Sequence, residues 1–272
     1  MNIKINDESP EKLGIKAIYH RYPNLIDRVD YYSGHFLGRP YLAGAQGEGL
    51  DRKFDDFPLY RFDAFDCVTY VNNVLALSLS SSEEEFIDHL LKLNYYHSKP
   101  IFENRFHFMS CDWNIQNQKN GFVEDVTNTV TDKQGEIISA FVEGEIDKPS
   151  WYSHQNKPVP ENAKKVVASI HYLPLSSIFD SESNACQDIF TQIPHGAIVE
   201  IVRPNWDLKD KIGTTLHVSH LGFVIKNALN ELCFRHASSN QEKVVEVLLG
   251  DYLSQYIESD TIKGINIQKI KC

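Results

Sequence analysis

The spacing of apolar and polar positions divides the chain into a helical first part and a strand-rich second part. The pattern over residues 1–35 predicts a helix that begins at Ser9-Pro10-Glu11. The helix is interrupted at Tyr22-Pro23, because proline cannot continue a helix. From Asp63 to Ser80 apolar residues recur at helical spacing. Ser82-x-x-Glu85 then has the pattern of a capping box, which opens another helix.

After residue 120 the spacing changes to the short apolar segments typical of β-strands, separated by turn residues such as Pro194-His195-Gly196. A short helix is predicted near Asp251–Ile257. Helices followed by a mostly antiparallel, meandering sheet indicate the α+β class, and without repeats or linkers we expect one domain over residues 1–272. The predicted strands are Ile137–Val142, Val166–Tyr172, Ala197–Arg203, Val218–Lys226, Glu231–His236, Lys243–Leu248 and Ile265–Ile270.

Composition narrows the possible partners. The 272 residues are 42% hydrophobic and 24% charged, which is ordinary globular usage. A net charge of −10 argues against nucleic acid, whose phosphates are bound mainly by lysine and arginine. The chain also lacks basic clusters for anionic lipid and an apolar run of the roughly 20 residues that a membrane helix needs. We therefore expect neither nucleic-acid binding nor membrane insertion, and we expect a monomer.

The N-terminus and the cysteines bear on the cellular compartment. Met1–Glu8 is followed by no apolar run, so no signal peptide is visible, and both a cytoplasmic protein and one whose leader was removed remain open. The cysteines are odd in number and form no CxxC pair. This pattern favours free thiols over a disulfide framework or a cysteine-rich zinc site. The five are Cys67, Cys111, Cys186, Cys233 and Cys272.

Cys67 is the strongest candidate for chemistry. The segment Phe65–Tyr70 puts this cysteine in the first turn of a predicted helix. Unpaired backbone N–H groups and the positive end of the helix dipole favour a thiolate there, so we expect a lowered thiol pKa. The alternative is a small core residue, because free cysteine is often buried.

Two histidines supply a candidate base and its orienting group. His220 and His236 fall in consecutive predicted strands on either side of a turn. On adjacent antiparallel strands their rings are expected to meet across the ladder. A nucleophilic cysteine needs a base, and the base needs an orienting group. With eleven histidines in the chain, two structural histidines are the alternative.

Other motifs point away from metal and nucleotide chemistry. His217 and His220 form HxxH, but on a strand this spacing turns the rings to opposite faces, and there is no HExxH. Gly47-x-Gly49 is no dinucleotide fingerprint, and no glycine precedes a lysine as in a Walker A loop. We expect no metal and no organic cofactor.

A polar and aromatic cluster offers candidate binding residues. Arg105, His107 and Trp113 lie close together in a segment of loop character. Such a cluster binds a carboxylate or a sugar, or else belongs to an ordinary surface.

Several segments, in order, resemble the NlpC-type cell-wall cysteine hydrolases, which have a papain-like core. They are Leu37–Gly44, Asp66-Cys67 with its helix, His195–Val199, His217–Gly222 and Arg235–Ser238. More narrowly, Phe65–Val71 and Arg105-Phe106-His107 before Trp113 resemble the subgroup called N-acetylmuramoyl-L-alanine amidase-like. The resemblance runs from about Phe36 to the C-terminus, and implies a subgroup insertion over about residues 95–165 of a papain-like core.

The resemblance implies a role for each candidate residue. Cys67 would be the nucleophile, His220 the general base and acid, and His236 the group that fixes the imidazole tautomer. Tyr41 would assist the backbone amide of Cys67 at the oxyanion, and Asp66 would hold the peptide amine. Substrate contacts would come from the insertion, namely Arg105, His107 and Trp113.

The implied reaction is hydrolysis of the amide between N-acetylmuramic acid and L-alanine in peptidoglycan fragments, through a thioester on the enzyme. The alternatives are cleavage between γ-D-glutamate and the diamino acid of the stem peptide, a non-catalytic wall-peptide-binding module, and transfer of the acyl group to an acceptor other than water. The muropeptide substrate implies a periplasmic or otherwise extracytoplasmic location, while the sequence itself leaves a cytoplasmic one open.

Overall fold

The computed structural model describes residues 9–49, 52, 54–55 and 57–271. Met1–Glu8 and Cys272, which entered the expectations on targeting and thiols, lie outside the described residues. The described part combines helices with antiparallel strands, as expected for the α+β class. No helix in it is both long enough and apolar enough to cross a membrane.

The helices and strands alternate in the second half of the chain. The helices are α1 Ile15–Arg21, α2 Leu25–His35, α3 Cys67–Leu79, α4 Glu83–Asn94, α5 Asn114–Lys119, α6 Lys148–His154, α7 Leu175–Ile178, α8 Gln187–Phe190, α9 Lys209–Ile212 and α10 Leu249–Ser254. The strands are β1 Val123–Asp125, β2 Ala140–Asp147, β3 Lys165–Pro174, β4 Ile198–Asp207, β5 Thr215–Lys226, β6 Leu232–Ser238, β7 Lys243–Leu248 and β8 Gly264–Ile270.

Two compact units divide the described residues. One contains the chain up to Phe106 and then Leu221–Leu248, and the other contains His107–His220 and Leu249–Lys271. Strand β5 contributes its first half to the second unit and its second half to the first.

The first unit is built around α3. Asp66 caps this helix: its Oδ1 accepts the Thr69 N–H at 2.8 Å, and Thr69 Oγ1 accepts the Asp66 N–H at 2.9 Å. This reciprocal pair satisfies backbone donors that the first turn cannot pair internally. The helix packs against α2, α4 and β6, and Tyr70 and Val74 are fully buried there. Burial of apolar area is the main contribution that stabilises such a helix.

The strands of the first unit form antiparallel ladders. In β5, Phe223 pairs with Arg235 of β6, and β6 continues to β7, where His236 pairs with Val245. Arg235 ties this ladder to α2, because its Nη1 donates to Asp30 Oδ1 at 2.6 Å and to Ser33 Oγ at 3.0 Å.

The second unit is a sheet with short helices on its connections. Its strand order is β2-β3-β8-β4 followed by the first half of β5, and β1 pairs with β8. Ile201, Ile265 and Ile267 are buried on these strands, and Ile201 pairs directly with Ile265.

The structure corrects several predicted boundaries. Residues 10–14 form turns, and α1 begins only at Ile15, because Gly14 adopts a left-handed conformation with φ 69°. Ser82 caps α4, but Glu85 binds the backbone N–H of Ser81, so the predicted capping box is only half formed. Strand β1 and a π-helical turn at Met109–Trp113 were not predicted.

Candidate active site

Cys67 is the first residue of α3 and follows directly the Asp66 cap. The sequence prediction that this cysteine lies in the first helical turn is therefore confirmed. The side chain is half-buried, so part of its surface stays open to solvent. Backbone N–H groups of Leu221, Val68 and Cys67 itself act on its sulphur and lower the pKa of the thiol. Leu221 is the residue that follows His220 in the chain.

The expected direction of the Cys67 pKa was wrong. Close packing raises the pKa of the thiol to about 12, and the nearby Asp66 carboxylate raises it further. The backbone hydrogen bonds lower it, as the helix N-terminus predicts, but burial outweighs them. The thiol is consequently protonated at neutral pH, and its proton has to leave before or during attack on a carbonyl.

Tyr41 and Asp66 flank Cys67 within the first unit. Tyr41 is held by its backbone, because its N–H donates to Glu242 O at 2.9 Å and it forms a parallel bridge with Phe65. Burial, Cys67 and Asp66 all raise the pKa of the Tyr41 hydroxyl, so it remains a neutral hydrogen-bond donor. Asp66 is occupied mainly as the helix cap.

His236 lies on β6 against the second half of β5. A Cβ added at Gly222 would lie 2.7 Å from His236 Cβ and 2.4 Å from Arg235 O, so the two strands approach closely where residue 222 has no side chain. His236 is 3% exposed, and its ring stacks on Phe234 at 4.6 Å between centroids. Consecutive antiparallel strands for the two histidines were predicted correctly.

His220 belongs to the second unit. Its ring centroid lies 6.4 Å from that of Tyr252, which lies within α10. Burial lowers the pKa of His220 to about 4, so the imidazole is neutral at pH 7 and is able to accept a proton. His217, three residues earlier, contacts Ser110 Oγ through Nδ1 at 3.2 Å, so the two rings have different neighbours.

Tyr252 was missed by sequence reasoning. The signal was present, because Tyr252 and Tyr256 are four residues apart in the segment predicted as a short helix. That spacing brings side chains together, and the two rings do meet at 5.4 Å.

Arg105 is engaged with the protein itself. Its guanidinium forms ion pairs with Glu48, which is 3% exposed, and with Asp55 at 3.0 Å. Burial raises the pKa of Glu48 although Arg105 opposes this effect. Arg105 therefore joins Glu48 and Asp55 through its guanidinium. Ala45, three residues before Glu48, approaches the helix cap, since its N–H donates to Asp66 Oδ2 at 3.4 Å.

His107 and Trp113 have different surroundings. His107 is half-buried beside Trp151, with 4.6 Å between ring centroids, and beside Tyr152 at 5.9 Å. Trp113 is fully buried, which places it in the core with no surface that a substrate can reach. Within the described ranges, no three histidine, cysteine or acidic residues are grouped as a metal ion requires.

Solved structures with the same architecture exist. A Legionella pneumophila protein is 40% identical, with a TM-score of 0.90 over 96% of this chain and 94% of that one. An N-acetylmuramoyl-L-alanine amidase from Bacteroides uniformis is 25% identical, with a TM-score of 0.64 over 91% of this chain and 99% of that one. A putative xylanase from Bacteroides fragilis is 22% identical, with a TM-score of 0.62 over 88% and 100%, and shows likeness of fold alone.

These matches place the chain in a class of proteins that share a fold of mixed helices and antiparallel strands, and one of the matched structures is an amidase. Residues 31–262 match the AmiA-like family model, described as N-acetylmuramoyl-L-alanine amidase-like. The chain belongs to this family. No protein with a curated description matches the sequence. Family membership supports an amidase-like role on peptidoglycan.

Proposed function

We propose that this protein is a cysteine-dependent amidohydrolase that cleaves the amide between N-acetylmuramic acid and L-alanine in peptidoglycan fragments. The observation that carries the proposal is the position of Cys67. It stands at the N-terminus of a capped helix, partly open to solvent, with backbone N–H groups around its sulphur. Backbone donors of this kind stabilise the negative charge that develops on a nucleophile or an oxyanion. The NlpC-type, papain-like core is part of the same proposal.

The first step is acylation. The Cys67 thiol gives its proton to His220 while sulphur attacks the carbonyl carbon of the muramoyl amide. Because burial raises the pKa of Cys67 and lowers that of His220, both groups are neutral at rest. The proton therefore moves as the carbon–sulphur bond forms, as in general base catalysis. The backbone amide of Cys67 and the neutral Tyr41 hydroxyl stabilise the oxyanion.

The second step releases the peptide. Protonated His220 donates the proton to the amide nitrogen, the carbon–nitrogen bond breaks, and the peptide amine leaves. A thioester between the muramoyl group and Cys67 remains. Water then gives a proton to His220 and adds to the thioester carbon. The carbon–sulphur bond breaks, sulphur recovers the proton, and the muramic acid carboxyl is free. His236 orients the imidazole, a role whose loss severely slows the analogous serine enzymes.

Kinetics of two variants test the catalytic assignments. Cys67→Ala and His220→Ala are each expected to reduce turnover of an anhydromuropeptide to background while circular dichroism and thermal unfolding remain close to wild type. Cys233→Ala is the matched control, because it removes a buried cysteine in the same unit that has no proposed role in catalysis. Activity near the wild-type level in the Cys67 or the His220 variant contradicts the mechanism.

A further inference from the structure

Arg203 differs in its partners from four other buried or half-buried arginines. Arg61, Arg105 and Arg235 form ion pairs with carboxylates of their own unit, and buried Arg28 donates to the backbone carbonyls of Ser78, Tyr22 and Pro23. Arg203 is half-buried in the second half of β4 and has no carboxylate partner anywhere in the described ranges. Among the described residues, this partly desolvated cation meets a threonine hydroxyl and an aromatic ring but no carboxylate or carbonyl oxygen.

The guanidinium of Arg203 is held in a fixed orientation. Nε and Nη2 both donate to Thr261 Oγ1, the first at 3.1 Å. Its carbon Cζ lies 4.0 Å from the centroid of the Trp206 ring, at cation–π distance. No protein acceptor for Nη1 is found in the described part of the chain. The guanidinium plane is therefore already oriented, and Nη1 is available to donate a hydrogen bond. A carboxylate is a suitable acceptor for such a group.

Two ring contacts and one electrostatic interaction extend from His220 to Arg203 inside the second unit. Tyr252 contacts His220 at 6.4 Å, and Tyr256 contacts Tyr252 at 5.4 Å. Tyr256 is close enough to Arg203 to act on its charge, and burial lowers the pKa of that guanidinium. All of these side chains are half-buried, so each retains exposed surface. We call Tyr252, Tyr256, Arg203 and Trp206 the aromatic–arginine strip.

We propose that the aromatic–arginine strip binds the peptide that leaves during acylation, with Arg203 pairing with a carboxylate of that peptide. This inference rests on the proposed function, in which His220 gives its proton to the leaving amine. Residues that extend from His220 therefore contact the amine side of the scissile bond. In a stem that begins L-alanyl-γ-D-glutamate, the first carboxylate on that side is the α-carboxylate of glutamate. Tyr252 and Tyr256 would pack along the peptide between His220 and Arg203.

Paired substrates test the proposal. One anhydromuropeptide carries the free α-carboxylate of D-glutamate, and the other carries the carboxamide at that position. Wild type is expected to favour the carboxylate about 10- to 100-fold in kcat/KM, mainly through KM, as for charged hydrogen bonds in general. Arg203→Gln should lose this preference, whereas Arg203→Lys should retain part of it. Because both variants alter the Thr261 and Trp206 contacts, a purely structural role would affect them alike.

Arg21→Gln is the control variant, because it removes an exposed arginine that lies 5.4 Å above a tyrosine ring in the other unit. It should leave the preference unchanged. A wild-type enzyme without preference, or an Arg203→Gln enzyme that keeps it, overturns the proposal.

Binding separates this inference from the proposed activity. If wild type hydrolyses neither substrate, the proposed function fails, and Cys67→Ala protein is titrated with L-alanyl-γ-D-glutamate and with its carboxamide. Tryptophan fluorescence reports binding, and Trp206→Phe identifies the contribution of Trp206. Selective binding of the carboxylate that is lost in Arg203→Gln supports the strip. Equal binding of the two peptides, or none, overturns it.

Discussion

Replacing Glu200 by glutamine should change how stability depends on pH. Glu200 lies on β4, has no solvent exposure, and accepts a hydrogen bond from Asn114 Nδ2 at 2.9 Å. Its other oxygen, Oε1, has no hydrogen-bond partner among the described residues. Burial raises the pKa of this carboxyl from 4.5 to about 8, although Asn114 opposes the shift and the charge of Asp125 adds to it. The native state therefore holds Glu200 protonated at neutral pH.

The sign and size of the effect follow from linkage. Below pH 4.5 Glu200 is protonated in both the folded and the unfolded chain, so it adds no pH dependence. Between pH 4.5 and about 8 only the folded chain keeps the proton, and the free energy of unfolding falls as pH rises. At about 1.4 kcal/mol per pKa unit, the loss by pH 8 is on the order of a few kcal/mol.

Glutamine is a neutral replacement that still accepts the Asn114 hydrogen bond. Glu200→Gln is therefore expected to match wild type within about 1 kcal/mol at pH 5 and to be more stable by a few kcal/mol at pH 8. Urea unfolding followed by fluorescence at pH 5, 6, 7 and 8 measures both free energies. Glu143→Gln is the control, because Glu143 is exposed on β2. A constant difference between wild type and Glu200→Gln across this range would refute the reasoning.

Three further predictions concern the first unit and His220. Arg105→Gln leaves the buried Glu48 without its cation and is expected to lower the free energy of unfolding by about 3–5 kcal/mol. The Arg105→Gln, Glu48→Gln double variant should recover part of this loss, and urea unfolding measures both variants. Asp66→Ala removes the cap on Thr69 and should cost about 0.5–2 kcal/mol in the same assay, whereas Asp66→Asn should cost less. Burial lowers the pKa of His220 to about 4, so kcat/KM should stay constant from about pH 8 down to pH 5 and fall only below that. If kcat/KM instead falls with an apparent pKa near 6.5, the buried environment of His220 is contradicted.

Local signals in the sequence were sufficient to predict α3 and the position of Cys67 on it. Asp66 and Thr69 are three residues apart, so the cap and the position of Cys67 depend on neighbouring residues only. The alternation of apolar residues likewise predicted β5 and β6 and placed the two histidines on consecutive strands. The helix start predicted at Ser9-Pro10 was wrong, because Gly14 is left-handed and α1 begins only after it.

Contacts between distant segments were beyond the reach of sequence patterns. Asn114 and Glu200 are 86 residues apart, and no periodicity predicts that they meet in the core. Arg105 and its partner Glu48 are 57 residues apart, and no local pattern indicates that these two side chains meet. The pKa of Cys67 is a similar case, since its helix position was readable but the packing that raises the pKa was not.

The products formed from one defined substrate test the central claim most directly. An anhydromuropeptide carrying a tripeptide is incubated with wild type and with Cys67→Ala, and the products are identified by mass spectrometry. The account predicts that wild type releases free anhydro-N-acetylmuramic acid and the intact tripeptide, and that Cys67→Ala leaves the substrate whole. A sugar that still carries the dipeptide L-alanyl-D-glutamate, or unchanged hydrolysis by Cys67→Ala, would contradict it.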